Sequence, residues 1–167
     1  MSRRSTLTLF CGLPGSGKTR IAKQLERQTG DMRICTDDWM ADLGVDLYDE
    51  PFRDALQIRL YVLAKELISR GVDVILEDGL WSKPERDEKR ADARRLGVRT
   101  RLYVFDLSLE EQWRRLEHRN NSMQYGAVAI SYEQLQKYTA LFELPAQQEL
   151  NQFDEYFVYR DTTSLVL

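Results

Sequence analysis

Short apolar runs alternate with amphipathic stretches along this chain of 167 residues. "TLTLFC" at 6–11 has the length and apolar content of a buried strand, and a helix follows from about Lys18 to Gln28, with Gly30 as its stop. "MRIC" at 32–35 is a second short strand. From Pro51 to Arg70 apolar residues recur at Leu56, Leu60, Leu63, Leu67 and Ile68, a helical period, with Pro51 in the first turn and Gly71 at the terminating position. "VDVILE" at 72–77 reads as a third strand, "PERDEKRADARRLG" at 84–97 as a charged helix with a glycine end, and "RTRLYVFDL" at 99–107 as a fourth strand. Ser108 caps a helix through about Asn120, and Ser131 caps another over 131–142 with Gln134 three residues on. "EYFVYR" at 155–160 is the last strand.

Strands alternating with helices, the strands short and mostly apolar, imply a parallel sheet covered on both faces. A single three-layer α/β domain spanning 1–167 is therefore expected, and no repeat or Pro/Gly/Ser linker divides it. The net charge of −3 supplies no global field for a polyanion. No apolar run approaches the roughly 18 residues of a membrane span. The apolar run after "MSRR", about four residues, is too short for a secretory signal. Cys11 and Cys35 form neither a metal-ligand spacing nor a disulfide framework, and read as reduced, packed thiols at the ends of inner strands. A cytoplasmic location is expected.

Between the first strand and the first helix lies "GLPGSGKT", a full match to GxxxxGK[ST]. The strand–loop–helix context is the one its mechanism demands. Gly12, Leu13, Pro14, Gly15, Ser16 and Gly17 would wrap backbone N–H groups around phosphates, with the helix dipole behind them. Lys18 would bridge the β- and γ-phosphates, and Thr19 would ligate Mg²⁺.

Two acidic sites fall where parallel strands end, the ligand-binding edge of open α/β sheets. In "EDG" at 77–79, Asp78 is the carboxylate expected to reach Mg²⁺, although an Asp-Gly turn explains the same residues. In "TDDW" at 36–39, Asp37 and Asp38 suit helix capping. For phosphoryl transfer, Asp37 also suits a general base for an attacking hydroxyl.

In "EEQWRRLEHRN", Arg115 and Arg119 stand four apart on one helix face, where they meet phosphate or simply line a solvated face with Glu111–Arg115 pairing. Around 41–70 and just beyond the third strand, Trp39, Tyr48, Phe52, Arg53, Trp81 and Arg86 offer aromatic walls and cations for a polar or anionic small molecule. Asp38, Trp39, Arg53 and Arg86 are the acceptor-side candidates.

Taken in order, "GLPGSGKTRIA", "CTDDW", "VILEDG" and "RRLEHRN" resemble small P-loop kinases of the nucleoside-monophosphate-kinase-like fold. In particular the chain resembles the AAA-type "predicted kinases", relatives of polynucleotide 5′-kinases, zeta toxins, gluconate kinases and chloramphenicol phosphotransferases. "FELPAQQEL" at 142–150 is similar to the segment these proteins carry before the last strand. The resemblance implies a five-stranded parallel sheet in the order 2-3-1-4-5, a lid over ATP (here about 114–130), and Asp37 as base. It also implies that Arg115 and Arg119 neutralise phosphates or stack on adenine, Arg119 as the lid charge. Polynucleotide kinases hold an acceptor phosphate with an Arg three residues after the base; here that position is Met40. Guanine-reading NKxD and DxxG motifs are missing, and the chain is short for a hexameric remodelling ATPase. The expectation is thus an ATP- and Mg²⁺-dependent phosphotransferase acting on a small hydroxyl-bearing acceptor. The alternatives are a polynucleotide 5′-kinase, a nucleotide-sugar kinase toxin, or an ATP-binding module or ATPase without an acceptor.

Overall fold

The computed structural model describes residues 4–122 and 127–161. Of the expected lid, 123–126, with Gly126, lie outside the described residues. Five strands, β1 (Thr6–Cys11), β2 (Met32–Ile34), β3 (Val74–Leu76), β4 (Arg99–Asp106) and β5 (Glu155–Arg160), form one sheet in the order β2-β3-β1-β4-β5. Every pairing is parallel, with Leu9 opposite both Leu76 and Leu102. The expected order 2-3-1-4-5 is the order found.

Strand alternation divides β1 between two cores. Leu7, Leu9 and Cys11 join Leu60, Ala64 and Ile68 of α3 (Glu50–Ser69) and Ala93 of α4 (Lys83–Leu96) on one face. Phe10 packs on the other face with Ile21 and Ala22 of α1 (Lys18–Thr29) and with Ile75, Tyr103 and Phe105. A third cluster, Leu13, Leu116, Ile130 and Leu135, seats α5 (Leu109–Ser122) and α6 (Tyr132–Leu141) over the first loop.

The helix starts follow the capping chemistry. Asp49 accepts from the Phe52 amide, and Ser82 and Ser131 each close a reciprocal capping box with Glu85 and Gln134. Two features depart from expectation. A one-turn helix, α7 (Gln147–Leu150), precedes β5 and is too short to show a period. The strand leading to Cys35 is an edge strand, so that thiol is buried by α2 (Thr36–Asp42) and its surroundings rather than by neighbours on both sides.

Because all five strands run the same way, the turns after β1, β2 and β3 collect at one edge of the sheet. The loop 12–17, the first turn of α2 and residues 77–81 meet there.

Candidate functional site

The loop after β1 is held from below by the Gly12 amide, which donates to the Gly79 carbonyl at 2.9 Å. Glycine is required at both flanks of this cradle. Gly15 has φ of +73° and a Cβ there would stand 2.6 Å from Leu116 Cδ2; at Gly79 it would stand 2.6 Å from Trp81 Nε1. Lys18 folds back over the loop, donating to the carbonyls of Gly12 (2.9 Å) and Leu13 (2.7 Å). Burial lowers its pKa to about 8, against the opposing charges of Glu77 and Asp37. Ser16 Oγ is buried without a hydrogen-bond partner, and α1 begins directly behind it with Gly17 as N-cap. A glycine-rich loop leading into a helix N-terminus, with a lysine held by two carbonyls, is chemically ready for phosphate oxygens.

The carboxylate that reaches Thr19 is Glu77, not the Asp78 expected from the sequence. The Thr19 hydroxyl donates to Glu77 Oε1. Adjacent residues at a strand end point to opposite sides, and it is Glu77 that turns toward the loop. Its second oxygen, Oε2, accepts from Arg33 Nε at 2.7 Å. Asp78 turns instead to Thr36, whose hydroxyl donates to it at 3.3 Å, and burial pushes its carboxyl up to about 6.

Asp37 and Asp38 occupy the first turn of α2 and diverge. Asp38 accepts from Arg33 Nη1 at 2.7 Å, while Asp37 accepts from Arg53 Nη1, which reaches over from α3. Arg53 also donates to the Leu47 carbonyl at 2.6 Å. Trp39 and Tyr48 are 42% and 61% exposed. The Tyr48 hydroxyl donates to the Ala129 carbonyl at 3.2 Å, tying the α2–α3 connection to the segment after α5.

Helix α5 rests directly on the loop. Arg115 donates to the Ser16 carbonyl at 2.8 Å and to Glu111 at 2.6 Å, and Gln112 donates to the Pro14 carbonyl. Arg119 donates to the Val128 carbonyl at 2.9 Å and leaves Nε buried without a partner. Burial lowers its pKa, and the charge of Asp37 opposes that shift. Asp37 therefore lies within electrostatic reach of both Lys18 and Arg119. The expected Glu111–Arg115 pairing is present, yet Arg115 also faces the loop rather than solvent alone.

Arg86 is not on the acceptor side. It is 1% exposed, donates to both oxygens of Glu149 on α7 (2.6 and 3.1 Å), and also donates to the Leu80 carbonyl. A long-range carboxylate has committed the guanidinium to the interior, which nothing local in "PERDEK" signals. Met40 is fully buried, so the position at which polynucleotide kinases carry an arginine is core here. Burial raises the Cys11 thiol to about 12 and the Cys35 thiol upward too, so neither supplies a thiolate.

The residues suit a small hard cation at Thr19. A hydroxyl and a carboxylate meet there, and among the described residues no cluster of three or more His, Cys, Asp or Glu side chains forms a closed metal cage. That donor set fits Mg²⁺, which takes one or two protein oxygens and fills its shell with phosphate and water.

The family described as "AAA domain" matches residues 7–145. No curated protein matches the chain by sequence. Among solved structures the chain is similar to Chaetomium thermophilum Kti12 in complex with ADP-AlF3, at 19% identity and TM-score 0.69, covering 95% of this chain and 91% of that one. It is also similar to a gluconokinase from Sinorhizobium meliloti (17%, TM-score 0.64, 98% and 86% covered) and to a fungal RNA kinase (12%, TM-score 0.68, 99% and 81% covered). At such identities the likeness establishes a P-loop kinase-like fold, and the site must speak for the chemistry.

Proposed function

The chain belongs to the AAA domain family, and from that membership we propose that it is an ATP- and Mg²⁺-dependent phosphotransferase acting on a hydroxyl of a small-molecule acceptor. The observation that carries this reading is the position of Asp37. Its carboxylate lies within electrostatic reach of Lys18 on the loop and of Arg119 on α5, which supports a base acting beside a phosphate clamp and a counter-charge.

Lys18 would leave the Gly12 and Leu13 carbonyls for the β- and γ-phosphates, since a lysine held by two neutral acceptors gains from two anionic ones. When bound, Mg²⁺ would be held by Thr19 and Glu77 and would neutralise phosphate charge. Asp37, oriented by Arg53, accepts the acceptor's hydroxyl proton. The oxygen then bonds to the γ-phosphorus as the bond to the β,γ-bridging oxygen breaks, leaving ADP. Arg119 offsets the charge that spreads over the transferring oxygens. That ADP-AlF3 accompanies the similar Kti12 structure is in keeping with nucleotide in this cradle.

The acceptor side favours a neutral hydroxylated molecule over an anion. Between Thr36 and Asp54 seven acidic residues stand against a single base, Arg53, and that arginine is taken by Asp37. Buried Met40 removes the cation that would hold a phosphorylated end, which weighs against a nucleic-acid acceptor. No described helix is long and apolar enough to cross a membrane, and a cytoplasmic, ATP-supplied setting suits two unpaired cysteines.

The test is ADP release from Mg-ATP, alone and against sugars, nucleosides, aminoglycosides, nucleotide sugars and 5′-hydroxyl oligonucleotides. A rise with one class, and phosphate found on it, supports the reading. Fast release with no acceptor moves the protein to the hydrolases. Tight ATP binding with no release against any member of the panel leaves either an acceptor outside the panel or a nucleotide-binding module.

A further inference from the structure

Arg33 is the second residue of β2, with its side chain 8% exposed, and its guanidinium faces two carboxylates, Nε and Nη1 donating hydrogen bonds while buried Nη2 makes none. Nε donates to Glu77 Oε2 at 2.7 Å, and Nη2 stands 2.6 Å from the same oxygen. Nη1 donates to Asp38 Oδ2 at 2.7 Å. The other oxygen of Glu77 accepts the Thr19 hydroxyl. Asp38 follows Asp37 in the first turn of α2. One buried fork therefore spans from the carboxylate at Thr19 to the helix that presents Asp37.

We infer that Arg33 is a positioning residue that aims Glu77 at Thr19 and locks the first turn of α2 to it, so that the metal-facing and acceptor-facing ends of the site are set together. The inference rests on the reading of Thr19 and Glu77 as the Mg²⁺ side of an ATP site.

Glu77 has a flexible side chain of its own, and the fork fixes one oxygen and thereby points the other at Thr19, which lysine, a point charge, cannot do. The Glu77 side chain is also only 4% exposed, so without Arg33 a buried carboxylate loses its counter-ion and must rotate or take up a proton. Either response leaves Thr19 without an oriented anionic neighbour. Partners of this kind, one shell out from a metal, typically alter affinity about 10–100-fold.

The experiment titrates MgCl₂ into the full chain with a fluorescent ATP analogue and reads the Mg²⁺ concentration at which binding is half-tightened. Thermal unfolding of each variant is followed in parallel. Arg33→Met is expected to raise that midpoint about tenfold, and Arg33→Lys to raise it less. Because Arg33 acts through Glu77, the double variant Arg33→Met/Glu77→Gln should match Glu77→Gln alone, a non-additivity that general loosening of β2 would not produce. A folded Arg33→Met with the parent midpoint overturns the inference, as does an Arg33 effect that adds in full to that of Glu77→Gln. Should Arg33→Met not fold, Arg33→Lys decides, and a parent midpoint there overturns it equally. If the parent chain binds the analogue with no response to Mg²⁺, it is the metal-dependent reading beneath the inference that fails.

Discussion

Arg53 of α3 holds the carboxylate of Asp37 on α2, and so steadies a charge that both Lys18 and Arg119 feel. The pairing joins two elements that bring no other charged contact to Asp37 among the hydrogen bonds and ion pairs of the described residues. Its consequence is separable from nucleotide binding. Asp37→Asn keeps the size and some of the hydrogen bonding but cannot take a proton. We expect ATP-analogue affinity within about twofold of the parent and phosphate transfer lowered about 10²–10⁴-fold, the usual weight of a general base. Parallel equilibrium binding and transfer assays check this, and transfer at the parent rate would remove Asp37 from the mechanism.

Glu77 and Asp78 should part company under substitution. Glu77→Gln takes the anion from Thr19 and should weaken Mg²⁺-dependent nucleotide binding about tenfold or more, while Asp78→Asn should leave it near the parent value. The signature of Asp78 is in stability. Its folded pKa, near 6, lies above the ordinary 3.8, so the folded state binds the proton more tightly and the carboxyl's contribution is lost as pH rises through about 6. The parent should therefore lose a few degrees of melting temperature between pH 4 and 7 relative to Asp78→Asn. Equal slopes for the two proteins would place the titration elsewhere.

These two carboxylates also mark where the sequence stops being legible. "GLPGSGKT" specifies its own geometry, because glycine spacing, lysine and helix start all act within eight residues. The strand order, which local pattern does not carry, agreed with what the family resemblance implies. Which of two adjacent acids turns inward depends on the exact residue at which β3 ends, and strand ends are poorly marked by pattern. Arg33, 44 residues from Glu77, and Arg86, 63 from Glu149, find their carboxylates only once the sheet has closed. Gln112 and Arg115 reach loop carbonyls across nearly a hundred residues. A helix of four residues, α7, supplies Glu149 with no periodic signal at all.

Arg86 should accordingly behave as a structural residue. Arg86→Met leaves Glu149, itself 5% exposed, as a buried carboxylate without its cation, which typically costs about 3–5 kcal/mol. Adding Glu149→Leu removes the stranded charge, and much of the loss should return. Denaturant unfolding of the single and double variants measures both. Acceptor KM of the folded protein should be unchanged; a rise in KM with stability intact would return Arg86 to the acceptor side.

Lys18 gives a prediction in which stability and binding move in opposite directions. Burial holds its folded pKa near 8, below the ordinary 10.5, with Glu77 and Asp37 resisting the shift. Between those values the unfolded chain carries a proton that the folded one has released, so the stability of the free protein should rise with pH through that window. Nucleotide phosphates need the ammonium form. Above pH 8 binding must therefore be preceded by uptake of a proton, and affinity should fall by up to about tenfold per pH unit. Lys18→Met, which has no proton to exchange, should bind weakly and without either slope. Calorimetric binding of the ATP analogue in two buffers of different ionisation enthalpy would count the proton directly. Uptake approaching one proton at pH 9 places the titration on Lys18, whereas zero uptake together with a flat affinity from pH 7 to 9.5 would show that the free lysine is already charged and that its fold-back onto Gly12 and Leu13 carries no protonic cost.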